Sequence, residues 1–69
     1  MKISARNFLK GKVVKVIPGV VNAEVLLELD GGAQVTSIIT MDSVKGLGLE
    51  EGKVAYAVIK ASNIMVAVD

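Results

Sequence analysis

The stretch from Val21 to Asp30 constrains this chain most. Val21, Ala23, Val25, Leu27 and Leu29 alternate with Asn22, Glu24, Leu26, Glu28 and Asp30. A period of two puts the first set on one face of a strand and the mostly polar set on the other. Turn signals stand on both sides. Pro18-Gly19 precedes the stretch, and Asp30-Gly31-Gly32 follows it as a hairpin signal. A strand held between two reversals, with one face dry and one wet, belongs to an antiparallel sheet.

The remaining elements are read outward from there. Lys10 to Ile17 reads as a first strand. Val35, Ser37 and Ile39 alternate with Gln34, Thr36, Ile38 and Thr40 in a third. Thr40-Met41-Asp42-Ser43-Val44-Lys45 supplies a capping side chain ahead of one or two helical turns, with Gly46 as the expected stop. Leu47-Gly48-Leu49 is expected to return the chain to the core, and Glu50-Glu51-Gly52 to turn it. Lys53 to Ile59 reads as a fourth strand, Lys60 to Asn63 as a break, and Ile64 to Val68 as a fifth strand. Five strands with a short helix between the third and fourth match an all-β, OB-like barrel. An SH3-like barrel is the main competitor, and periodicity alone does not separate the two. Residues 1–69 read as a single domain with no repeat and no linker.

Composition narrows the function. The chain of 69 residues has neither cysteine nor histidine, so disulfides and the usual zinc, copper and haem ligands are absent. No direct cation ligands are expected. Net charge is +1 and the aromatic residues are Phe8 and Tyr56. Duplex binders carry a basic stripe and single-strand binders an aromatic platform. Neither is present, so a nucleic-acid-binding OB module is a rival reading rather than the favoured one. A purely structural assembly module is another. Hydrophobic residues make up 52% of the chain, more than so small a barrel can hide, so self-association is expected. The N-terminus lacks the apolar core of a signal peptide, and no apolar run reaches membrane-spanning length. A cytoplasmic protein without membrane partners is expected.

No catalytic constellation stands out. Ser4, Ser37, Ser43 and Ser62 have no visible activating partner. Glu24 and Glu28 share a strand face, where charges are commonly just solvated. The glycine turns Gly31-Gly32 and Gly46-Leu47-Gly48 fit neither dinucleotide nor Walker spacing.

Two polar segments bracket the apolar middle. Ser4-Ala5-Arg6-Asn7 lies near the start and Lys60-Ala61-Ser62-Asn63 near the end. Each offers a hydroxyl, a fixed positive charge, an amide and backbone N–H groups, with no carboxylate. That is a donor set for a small oxyanion. The plainer readings are a frayed leader for the first and an ordinary turn for the second, and composition alone favours them. Gly19-Val20-Val21-Asn22 also has two readings: a turn entering a strand, or exposed N–H groups and an amide around a second anion.

In order and spacing, these segments resemble the molbindin (Mop) family of small molybdate-binding proteins, which have a single Mop or TOBE-like domain. The likeness runs through Ser4-Ala5-Arg6-Asn7, Leu9-Lys10-Gly11, Gly19 to Val25, Ile38-Ile39-Thr40, Ser43, Leu47-Gly48-Leu49 and Ile59 to Ala67. It covers essentially the whole chain without clear departure. The resemblance implies an OB-like fold, a non-enzymatic protein, and a homohexamer arranged as a trimer of dimers. It implies binding of molybdate, and usually tungstate, between subunits, with no organic cofactor. In one site class Ser4, Arg6 and Asn7 would meet Lys60, Ala61 and Ser62 of a neighbour. A second would draw on Gly19, Val20, Val21 and Asn22 near three-fold contacts.

Overall fold

The structure, a computed structural model, describes all residues from Met1 to Asp69. β1 (Asn7–Pro18), β2 (Asn22–Leu29) and β3 (Gln34–Thr40) follow in a meander. Then come α1 (Met41–Leu47), β4 (Val54–Ile59) and a 3₁₀ turn (Ala61–Asn63). The strands form one antiparallel sheet in the order β3-β2-β1-β4. It curls into a half-barrel of the OB-like kind, with α1 between β3 and β4.

The alternation in β2 falls where the sequence places it. Ala23, Val25 and Leu27 are buried, and with Val13, Val44 and Ala57 they make the core. β1 is longer than expected at its N-terminal end, beginning at Asn7 because Asn7 to Lys12 pair in register with Ile59 to Val54. A register shift between Val13 and Lys15 marks a bulge, which lets one strand bend to pair with β2 on one side and β4 on the other. Gly11 sits inward where β1 crosses β2. A β-carbon there would come within 2.6 Å of the Glu28 carbonyl oxygen. On the outer face Phe8 and Tyr56 stack on each other, centroids 4.7 Å apart.

Three expectations are corrected. First, α1 runs through Gly46 and stops at Gly48. Gly48 adopts the left-handed conformation, φ 63°, and its N–H donates back to the Lys45 carbonyl. Nothing forces Gly46 out of the helical region. At the other end the Ser43 N–H donates to Thr40 Oγ1 at 3.0 Å, the expected cap. Second, Leu49 packs against the core but Leu47 stays exposed. Third, Ile64 to Val68 forms no strand. Four strands are present, and the edges of β3 and β4 that face away from the sheet have no partner in the chain. A fifth strand needs a hydrogen-bonding neighbour, and periodicity in sequence cannot supply one.

Candidate functional site

The antiparallel pairing of β1 with β4 brings the two polar segments together. Asn7 stands opposite Ile59, so residues before 7 and after 59 leave the sheet at the same point. The Asn7 amide Nδ2 donates to the Ile59 carbonyl at 3.2 Å and clamps the two strand ends. Around that clamp an open cleft of about 660 Å³ is lined by Ile3, Ser4, Ala5, Arg6, Val58 and Lys60 to Asn63.

Five of the six residues named for the first site therefore line one cleft: Ser4, Arg6, Lys60, Ala61 and Ser62. The sixth, Asn7, is half-buried beneath it, its amide engaged by the strand end. Within one chain the two segments already lie side by side; the resemblance implies a further meeting of Ser4, Arg6 and Asn7 with Lys60, Ala61 and Ser62 of a neighbour. Asn63 also lines the cleft. Its presence in the same tetrapeptide as Lys60 and Ser62 was the available signal.

The chemistry of the lining is one-sided. Arg6 and Lys60 supply fixed positive charge, Ser4 and Ser62 hydroxyls, and no carboxylate takes part. The 3₁₀ turn adds backbone donors. Its first hydrogen bonds run from the Asn63 N–H to the Lys60 carbonyl, 2.9 Å, and from Ile64 to Ala61, 3.3 Å. The N–H groups of Ala61 and Ser62 precede the first donor of the turn, Asn63, and have no partner within it. Such a set suits a dianion that only accepts hydrogen bonds. Ser4, Arg6 and Lys60 to Asn63 are all exposed, so water competes for every donor.

Gly19, Val20, Val21 and Asn22 lie elsewhere. Gly19 to Val21 form the loop between β1 and β2 and Asn22 opens β2, at the far end of β1 from the cleft. The 12 residues of β1 separate the two sets, and no residue of the second lines the cleft, so they share no site in one chain. Gly19 is required there, since a β-carbon would collide with the Asn22 backbone oxygen. The Val21 carbonyl accepts from the Met41 N–H at 2.8 Å, tying the loop to the start of α1. Val20 is fully exposed at the tip.

Comparison with known proteins places this arrangement. The TOBE domain family model matches residues 3–66. Molybdenum-pterin-binding protein 3 of Clostridium pasteurianum is 58% identical over 66 residues, covering 96% of this chain and 97% of the relative. MopII from Clostridium pasteurianum superposes with a TM-score of 0.92 at 54% identity, over 97% of this chain and all of that one. The cytoplasmic molybdate-binding protein ModG, solved with molybdate bound, superposes at 0.91 with 51% identity. There 94% of this chain matches 46% of the longer one. These relatives are binding proteins rather than enzymes. By family model, by relatives of its own length and by fold, this chain belongs to the TOBE-domain family, among the small Mop proteins.

Proposed function

We propose that this protein binds molybdate reversibly at the cleft between Ser4–Arg6 and Lys60–Asn63, storing or buffering the anion in the cytoplasm. The observation that carries this is the Asn7–Ile59 pairing, which joins two polar segments far apart in sequence into one cleft free of carboxylates. The relatives named for molybdenum and molybdate support the choice of anion. Molybdate is a tetrahedral dianion with four acceptor oxygens and no proton to donate at neutral pH. Donors alone suffice for it. Phosphate is partly protonated and leaves that proton unmatched in an all-donor site. Tungstate, alike in shape and charge, binds comparably. No organic cofactor is needed for this recognition.

The exposure of the donors favours a site covered by a second copy, and the family resemblance suggests a homohexamer, a trimer of dimers, as that form. A second copy laid over the cleft excludes water and strengthens each charge-assisted bond. The Gly19–Asn22 loop serves a second site class in the same assembly. Isothermal titration of the full chain with molybdate, tungstate and phosphate tests the reading. Saturable binding of the first two, with phosphate at least ~10-fold weaker for the unmatched proton, is expected. Absence of saturation with molybdate overturns it.

A further inference from the structure

We propose that Asn7 is a positioning residue for the anion cleft. It acts through the Ile59–Lys60 peptide and holds both lips of the cleft in place before an anion arrives. This rests on the molybdate reading above and deepens it, by naming the side chain that sets how well the donors are arranged in advance.

The two lips are joined at one point. Asn7 opposite Ile59 is the last pair of the β1–β4 ladder. No backbone hydrogen bond joins residues 1–6 to residues 60–69 beyond it. The bond from Asn7 Nδ2 to the Ile59 carbonyl, 3.2 Å, is the one side-chain hydrogen bond between the two segments. Chain ends that run past the last ladder pair are mobile unless tied down. This bond is the tie.

Its effect passes along the backbone. The Ile59 carbonyl and the Lys60 N–H belong to one planar peptide unit, so holding the oxygen sets the plane in which the chain leaves β4. Lys60 continues from that plane at φ −64° and ψ 130°, and its carbonyl accepts from the Asn63 N–H at 2.9 Å. The turn that carries the free Ala61 and Ser62 N–H groups therefore hangs from the peptide that Asn7 holds. On the other lip Asn7 opens β1, so Arg6 and Ser4 lead away from the same residue.

Burial separates Asn7 from the donors it serves. Ser4, Arg6, Lys60, Ala61 and Ser62 are exposed and line the cleft. Asn7 and Ile59 are half-buried and do not line it. A hydrogen bond partly shielded from water persists better than one in the open. Donors ordered in advance bind more tightly than the same donors on loose lips, because less freedom is lost when the anion enters.

The test uses the full chain and begins without anion, so it separates this proposal from the molybdate reading. Backbone ¹⁵N order parameters are compared between the native chain, Asn7→Ala and Asn7→Asp, with circular dichroism confirming the fold. Asp keeps the shape of Asn but at neutral pH has no hydrogen to donate to the Ile59 carbonyl. In both variants the values at Arg6 and at Ala61 to Asn63 are expected to fall from about 0.85 toward 0.6, while those of β2 stay unchanged. Unchanged values at the lips overturn the proposal, and so does a loss in Asn7→Ala that Asn7→Asp does not share.

Molybdate is then titrated. Asn7→Ala is expected to bind it about 10-fold more weakly, the scale on which groups behind direct ligands act. In the native chain the through-hydrogen-bond coupling between Asn7 Nδ2 and the Ile59 carbonyl carbon is expected to survive saturation. Loss of that coupling means that Asn7 has turned to the anion, and overturns the proposal. Equal affinity in Asn7→Ala overturns it as well. If the native chain binds no molybdate, the anion reading fails, and the order parameters alone decide whether Asn7 holds the lips.

Discussion

Arg6 and Lys60 are the two fixed charges of the cleft, and each is exposed. Neither supports the core, so their removal separates binding from folding. Arg6→Ala and Lys60→Ala are each expected to weaken molybdate binding by roughly 10- to 100-fold, the range of a charge-assisted hydrogen bond. Titration calorimetry reads the loss, and the thermal midpoint should stay within ~2 °C as for other surface changes. Gly11 makes the opposite case. Its α-carbon faces the Glu28 backbone, and backbone cannot swing aside as a flexible side chain can. Gly11→Ala is expected to cost about 1–3 kcal/mol of stability through overpacking, read by urea unfolding. Asn7 shows why a site residue cannot be assigned by type alone. One N–H of its amide donates to the Ile59 carbonyl, which leaves the second N–H as a donor, so the surroundings rather than the residue type decide what it can offer.

At the scale of elements, α1 has seven residues and little intrinsic stability, so its ends matter more than its middle. Thr40 caps the start, and Gly48 with the Lys53 ammonium closes the end. Lys53 Nζ donates to the carbonyls of Leu47 and Gly48 at 2.7 and 3.1 Å. Thr40→Ala and Gly48→Ala are each expected to lower stability by about 1 kcal/mol, one by loss of the cap and one by left-handed strain. Calorimetry should show the midpoint falling by ~4–8 °C for each. The alternation of β2 and the turns at Pro18-Gly19 and Asp30-Gly31-Gly32 were readable because they are local. The stop at Gly48 rather than Gly46 was not. Either glycine can end a helix, and the capping hydrogen bonds and the Lys53 contact decide between them.

For the whole molecule, seven of 69 residues are buried, and the radius of gyration is 12.6 Å. A compact chain of this length has about 11 Å. One copy alone is an open sheet with two unpaired edges, which the proposed self-association would cover. Urea midpoints are therefore expected to rise between ~1 and ~100 µM protein, as mass action requires of an associating fold. Molybdate at 100 times its dissociation constant should add about 2.7 kcal/mol. A midpoint independent of protein concentration would contradict a stability shared between copies.

The sequence by itself determined the elements whose signals lie within a few residues: the β2 alternation, the two turns, the capped helix and the donors of the two polar segments. It also named most of the cleft, because those donors come in short runs without carboxylates. Only the tertiary structure decided that Asn7 stands opposite Ile59, which makes one cleft of two distant segments. It also decided that the Gly19–Asn22 loop lies at the far end of β1, and that Ile64–Val68 has no strand partner in its own chain. Side-chain period follows from backbone geometry and can be read locally. Register, closure and the use of an edge are set by contacts between residues far apart, which no local pattern encodes.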